Sequence, residues 1–212
     1  MACTSRLERQ ARLRGFRLVA GLDEAGRGCL FGPVYAGAVI LDPARPIRGL
    51  NDSKQLNESR RDVLAGRIRE RALAWAVAKV DAGLIDRINI LQASRLAMKL
   101  AVEQLRPVPD FLLVDAVAVD VDIAQRAVIH GDALSHSIAA ASILAKVDRD
   151  RSMAEWEQRY PGYGFLRHRG YATAEHREAL ERLGPTPFHR YSYEPVRQAA
   201  GLAPKQLALF DS

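Results

Sequence analysis

Two cysteines, Cys3 and Cys29, are all that the 212 residues contain. That is too few for a disulfide framework or a cysteine-based zinc site, and it fits a reducing, cytoplasmic compartment. No apolar run approaches the ~20 residues that a spanning helix needs. The opening stretch, MACTSRLERQARLRGF, is charged throughout and has no apolar core, so neither a secretory signal nor a membrane anchor is expected there. Internal repeats, low-complexity tracts and an oligomerisation stripe are all missing, which points to a monomer with one main core. Acids are also in deficit: 25 Asp and Glu stand against 31 Lys and Arg, a formal net charge of +6. Such a balance favours a polyanionic partner, because Lys and Arg release counterions when they neutralise phosphates.

What is present centres on Gly21 to Val34, which reads GLDEAGRGCLFGPV. The preceding run, Phe16 to Leu22, is crowded with large and β-branched apolar residues and predicts a strand. It ends on Asp23 and Glu24, whose side chains point to opposite faces of a strand, so one of them sits at the apolar side. Burying a carboxylate there is costly unless something cationic compensates. The strand holds no Lys or Arg beyond its start, and a divalent metal is a natural candidate. Gly26, Arg27 and Gly28 follow, then Gly32 and Pro33. Glycines allow backbone N–H groups to approach a ligand closely, and Arg27 adds a fixed positive charge, a combination suited to a phosphate or sugar. A tight turn with both acids exposed at its edge is the plainer alternative.

Val34 to Leu41 predicts a second strand antiparallel to the first, and Trp75 to Val80 a third that completes a meander. Between them, Asn51-Asp-Ser-Lys54 precedes a helix over Glu58 to Ala74, capped by Ser53 or Asn57. Asp81 opens a helical region carrying one apolar face from Leu84 to Leu105, stopped by Pro107 and Pro109. Phe111-Leu-Leu-Val-Asp115 is a fully apolar run ending in an acid, the pattern of a central strand covered on both faces. Helices before and after it indicate an α/β arrangement. An acid at the C-terminal end of such a strand lies where open α/β sheets place ligands, although a capping or turn aspartate reads the same way. Asp120 and Asp122 read as the wet face of an edge strand or loop.

Gln125 to Asp132 is another short strand ending on glycine and an acid. A long helix with a small-residue face, Ala139 to Ser142 and Ala145, is expected to follow and lie close to the sheet. Lys146 and the cluster Asp148-Arg-Asp-Arg151 on its later turns read as a solvated face. Arg167-His-Arg-Gly-Tyr171 interleaves basic and aromatic residues, a mixture that grips a nucleic-acid backbone and rests a ring on a sugar or base. Thr173 begins a further helix that ends near Gly184.

Asp23, Glu24, Asp115 and Asp132 thus each fall at a strand end, with no His or Cys companion at ligand spacing. Oxygen-only ligands select Mg²⁺ or Mn²⁺ over zinc or copper. Four carboxylates can hold two ions ~3.5–4 Å apart, the arrangement that activates a water and stabilises the leaving oxygen in phosphodiester hydrolysis. The residues alone therefore reach a metal-dependent nuclease, and not its substrate.

In this order and spacing, GLDEAGRG followed by GPV, NDSK, LVDA, HGD, AAASILAKVDRD and YGF with HRGY resembles bacterial ribonuclease HII, from about Leu18 to Val196. The resemblance implies an RNase H-like α/β fold, a mixed five-stranded sheet flanked by helices, with a C-terminal helical segment. It also implies cleavage of the RNA strand of RNA/DNA hybrids, and cutting 5′ to single ribonucleotides in duplex DNA, with Mg²⁺ or Mn²⁺. Carried over by motif, Asp23, Glu24, Asp115 and Asp132 are the metal-binding catalytic acids. Gly26, Arg27 and Gly28 match the loop that reads the ribose 2′-hydroxyl, and Tyr171 the tyrosine at the RNA-to-DNA junction. Ser53, Lys54, Ser142 and Lys146 match positions near the duplex backbone. Three departures from the family pattern are Ala116 for Gly, His130 for Lys and Cys29 for Pro.

The chain divides by sequence into a basic leader (1–15), a catalytic domain (16–198) and a tail (199–212). In the tail, Gln206, Leu207, Leu209 and Phe210 resemble the peptide by which bacterial replication and repair proteins dock on the DNA sliding clamp.

Overall fold

Two strands form the buried centre of the molecule, one buried along its whole length and the other at every residue but Glu24. They are β1 (Val19–Ala25) and β2 (Val34–Ile40). With β3 (Ala74–Val80), β4 (Phe111–Asp115) and β5 (Ala124–Val128) they form a sheet of order β3-β2-β1-β4-β5. The first three strands make an antiparallel meander, whereas β4 runs parallel to both β1 and β5. The structure is a computed structural model and describes residues 3–203. The expected mixed five-stranded sheet is present, with a strand at each of the five places read from the sequence, but the last stops at Val128, so Asp132 falls beyond the strand on a 3₁₀ turn rather than at its end.

Helices cover both faces, which is why the inner strands read as continuous apolar runs rather than alternating ones. On one face, α3 (Ala82–Glu103) packs Ala93, Ala97, Met98 and Ala101 against Leu22, Ala36, Ala38 and Val114. On the other, α2 (Glu58–Arg71) and α4 (His136–Arg159) pack Leu64, Ile68, Ala140, Ile143 and Leu144 against Val39. The small residues of α4 bring it so close that a Cβ at Gly21 would lie 2.1 Å from the Ser137 carbonyl carbon, and one at Gly37 2.3 Å from the Ala141 oxygen. Asn57, one of the two caps expected, caps α2 by accepting from the Arg60 N–H. Helix α3 is broken where a continuous helix is expected: Asn89 takes φ 65°, and its side chain accepts from the N–H groups of Leu91 and Gln92, starting the helix afresh.

Residues 6–13, which stand apart by sequence as a leader, form α1 (Arg6–Leu13). Leu7 and Ala11 pack with Val19, Phe111, Leu113 and Ile138, so this helix belongs to the folded unit. The C-terminal segment comprises α5 (Phe165–His168), α6 (Ala174–Leu183) and α7 (Glu194–Ala199). It builds a separate aromatic cluster around Leu30 and Phe31, in which the Phe31 ring stacks on Phe165 at 4.0 Å. That cluster ties the loop after β1 to the far end of the chain. Gln206, Leu207, Leu209 and Phe210 lie outside the described residues.

Candidate active site

The parallel pairing of β1 with β4 ends with Leu22 opposite Val114, so the next step along each strand brings Asp23 and Asp115 side by side at the C-terminal edge. Residues in register on parallel strands share a face. Asp23 is buried and accepts a hydrogen bond from the Glu24 N–H at 2.7 Å. Burial, then the charges of Glu24 and Asp115, hold its carboxyl well above the usual carboxylate range, against the opposing pull of the Ser142 hydroxyl. Glu24 lies on the other side of the strand. Burial raises its carboxyl as well, although Arg27 opposes this with a 3.1 Å ion pair.

Asp115 accepts from the Gly131 N–H at 2.7 Å, which joins the end of β4 to the short 3₁₀ turn Gly131–Ala133. That turn carries Asp132. Burial raises the Asp132 carboxyl first, the charges of Asp52 and Asp115 add to this, and Lys54, 3.7 Å away, counters it. Asp115 therefore links Asp23 and Glu24 to Asp132, and each of these neighbours feels its charge.

A crowd of carboxylates in which Asp23, Glu24 and Asp132 are all held above their ordinary range is a site short of positive charge. Hard cations with oxygen ligands answer that need. Among the described residues no three His, Cys, Asp or Glu side chains close tightly enough on one point to hold an ion unaided. Mg²⁺ asks for less, since it commonly takes one or two carboxylates and completes its shell with waters and substrate phosphates. The donor set fits.

The glycine loop is held beside the acids from beneath. Gly26 has φ +94° and no room for a side chain, because a Cβ there would sit 2.4 Å from Arg149 Nε. The carbonyl of Arg27 accepts from Arg190 Nη1 at 2.7 Å and from the Tyr193 hydroxyl at 2.6 Å. Gly28 and the Arg27 side chain face solvent. Tyr171 is joined to the loop by a backbone bridge to Cys29 and is 37 % exposed.

The four residues matched to the duplex backbone have different surroundings. Lys54 is exposed beside Asp132. Ser53 and Ser142 are buried and share a 2.9 Å hydrogen bond, so they pin the turn that presents Lys54 to α4. Lys146 is half-buried, donates to Asp150 at 2.9 Å and stands 5.3 Å over the Tyr171 ring.

The cluster 148–151 corrects a sequence expectation. Arg149 and Asp150 are buried, and Arg149 has no exposed surface at all. Its guanidinium lies over the Tyr171 ring at 5.1 Å, donates to Cys29 Sγ at 2.9 Å and to the Arg169 carbonyl, and so is drawn inward by partners distant in sequence. Arg190, Tyr193 and His176 were likewise outside the sequence-based set. His176 Nδ1 lies 2.9 Å from the Tyr171 carbonyl.

Acids at the C-terminal edge of two adjacent central strands, beside a glycine loop and an exposed tyrosine, are the arrangement of an RNase H-like nuclease. Comparison with known proteins narrows this. The family model for ribonuclease HII matches residues 20–196. A ribonuclease HII of Solibacter usitatus is 61% identical over 99% of this chain and 93% of its own length. Among solved structures, ribonuclease H2 of Pyrococcus horikoshii OT3 superposes with a TM-score of 0.73 at 28% identity, covering 87% of this chain and 98% of that one. The ribonuclease HII in a PCNA complex from Archaeoglobus fulgidus gives a TM-score of 0.70 at 26% identity, covering 84% and 96%. The chain belongs to the ribonuclease HII family, and it is a ribonuclease H, a hydrolase.

Proposed function

We propose that this ribonuclease H cuts the RNA strand of RNA/DNA hybrids and also cuts 5′ to a single ribonucleotide embedded in duplex DNA, serving ribonucleotide removal and RNA primer processing. The observation that carries the reading is the adjacency of the acid row to the Gly26–Gly28 loop and Tyr171. Asp23, Glu24, Asp115 and Asp132 would hold Mg²⁺ or Mn²⁺ as a pair of ions, whose charge would support deprotonation of the attacking water and steady the departing oxygen. The water oxygen bonds to phosphorus and the bond from phosphorus to the upstream O3′ breaks. The products are a 3′-hydroxyl and a 5′-phosphate.

The chain's own groups supply selection and alignment. The backbone of the Gly26 to Gly28 loop, open to solvent at Arg27 and Gly28, meets the ribose 2′-hydroxyl, which can both donate and accept and which DNA lacks. Tyr171 rests its ring on the adjoining sugar, and the flanking Lys54 meets the phosphate backbone. Incubating the enzyme and its Asp115→Asn variant with an RNA/DNA hybrid, Mg²⁺ or Mn²⁺, and a DNA duplex of the same sequence tests this. Cutting of the RNA strand alone, lost in the variant, is the expected result; equal cutting of the all-DNA duplex would overturn the ribose reader.

We further propose that the tail Gln206 to Phe210 docks on the DNA sliding clamp. An archaeal relative of the same family is known in a PCNA complex, and an extended segment with apolar anchors suits groove docking. Unchanged clamp affinity after deletion of 206–212 would contradict it.

A further inference from the structure

We propose that Glu8 of α1 is a positioning residue for Asp132, so that the N-terminal segment sets how tightly the acid site takes its metal. This rests on Asp132 being a metal-binding acid, as read above.

Glu8 is only 2 % exposed although it lies in a run of charged residues. Its Oε1 accepts three hydrogen bonds: from Ser135 Oγ at 2.6 Å, Ser137 N at 2.8 Å and Ser137 Oγ at 2.7 Å. All three donors belong to the start of α4, where a negative charge also meets the positive end of the helix. Ser135 is the N-cap, its hydroxyl accepting from the Ile138 N–H. A parallel backbone bridge reinforces the join: Thr4 N donates to the Leu134 oxygen and His136 N to the Thr4 oxygen, both at 3.2 Å.

The residues so gripped, 134–137, directly follow the turn that bears Asp132. Ser135 N donates back to the Gly131 oxygen at 2.8 Å and Leu134 N to the same oxygen at 3.0 Å. On its other side the turn is tied to β4 through Gly131 N and Asp115. Asp132 is thus carried on a span of a few residues fixed at both ends, by Asp115 on the sheet and by Glu8 and Thr4 on the N-terminal segment. Glu8 touches no reacting group. Its effect is to hold the backbone from which Asp132 projects.

Partners that orient metal ligands typically change metal affinity by about 10–100-fold when lost. The test uses the full chain and its Glu8→Ala, Glu8→Gln, Thr4→Pro and Asp132→Asn variants. Mn²⁺ binding to the resting protein is followed by loss of the free-ion EPR signal, alongside thermal melting and the Mn²⁺ dependence of hybrid cleavage. The expected result is Mn²⁺ affinity weakened about 10-fold in Glu8→Ala and less in Glu8→Gln, whose amide oxygen still accepts. Thr4→Pro, which removes one clasping N–H, shifts affinity in the same direction. Cleavage at saturating Mn²⁺ returns to within a few-fold of native, with KM for the hybrid unchanged.

Native Mn²⁺ affinity in Glu8→Ala, with only a lowered melting temperature, would overturn the inference. Should Glu8→Ala fail to fold, native affinity in both Glu8→Gln and Thr4→Pro would overturn it equally. Native affinity in Asp132→Asn marks a different failure, that of Asp132 as a metal-binding acid.

Discussion

The guanidinium of Arg149 lies 5.1 Å from the centroid of the Tyr171 ring while donating to Cys29 and to the carbonyl of Arg169. Lys146 stands over the same ring at 5.3 Å. Two cations against a phenol ring fix its plane, so the proposed stacking on a sugar or base would need no further ordering of the ring. Replacing Tyr171 by Ala is expected to lower cleavage at a single ribonucleotide by about 10–100-fold, the rate equivalent of ~1–3 kcal/mol of stacking. Tyr171→Phe keeps the ring and should remain within a few-fold of native. Single-turnover rates on one duplex compare the three proteins.

Two buried histidines, His176 and His189, lie behind Tyr171, and their hydrogen bonds assign their ring protons. Thr186 N donates to His189 Nδ1 at 2.9 Å, so the proton of His189 is on Nε2, facing His176 Nε2 at 3.1 Å. His176 is then left to donate through Nδ1 to the Tyr171 carbonyl. Both are neutral. Burial lowers His176 to about 4 and His189 to about 3, below the ordinary 6.5. The unfolded chain therefore binds protons more readily, and the stability of the neutral network, complete above pH ~6.5, is lost as pH falls towards those values. A loss of up to about 2 kcal/mol per histidine by pH 5 is expected, from ~1.4 kcal/mol per pH unit. Urea titrations between pH 7.5 and 5 measure it, and His189→Asn, which still accepts from Thr186 N, should flatten the slope.

Ala116 follows the third acid with φ 55°, a conformation that costs a residue with a Cβ roughly 1–2 kcal/mol. Glycine, the residue commonly found there in the family it resembles, removes that cost but gives back some entropy in the unfolded chain. Ala116→Gly should raise stability by about 0.5–1 kcal/mol, or ~1–4 °C in Tm. An unchanged or lower melting temperature would show that the loop relaxes around the alanine.

Asp23 is a liability to the metal-free protein. Its carboxyl is held above the unfolded value by burial and by Glu24 and Asp115, so the native state binds its proton more tightly, and stability declines as pH rises from 3.8 through the folded value. At neutral pH, Asp23→Asn should melt about 2–4 °C higher than native without metal, a gain of about 1 kcal/mol, while cleavage is abolished. Saturating Mg²⁺ should narrow or reverse the difference, because only the native site gains from binding.

Strand-end acids were legible because a carboxylate terminating an apolar run is an unusual expense in a core, and chain order alone placed three such runs in one sheet. The register of Leu22 with Val114 then brought two of them together, as α/β topology requires. Arg149 was not legible: its neighbours in sequence are charged, and its partners Tyr171, Cys29 and Arg169 come together only in the fold. Glu8 was hidden in the same way, since an acid among arginines reads as solvated until Ser135 and Ser137 arrive from a helix more than a hundred residues further along the chain. Asn89 breaks a periodicity that reads as one helix, because an apolar face survives a single left-handed residue. Local pattern reports what an element must bury; it does not report which distant donors will make a buried charge affordable.

In the proposed reaction the glycine loop reads one ribose and delivers its 5′ phosphodiester to the acids. The most direct measurement is cleavage of a DNA duplex carrying a single ribonucleotide, end-labelled so that the cut is mapped to the nucleotide, with Mg²⁺ or Mn²⁺. A single cut immediately 5′ to the ribonucleotide, leaving a 3′-hydroxyl and a 5′-phosphate and absent from the all-DNA duplex, is the result predicted. Intact substrate under conditions that degrade a long RNA/DNA hybrid, or a cut elsewhere in the DNA, would contradict it.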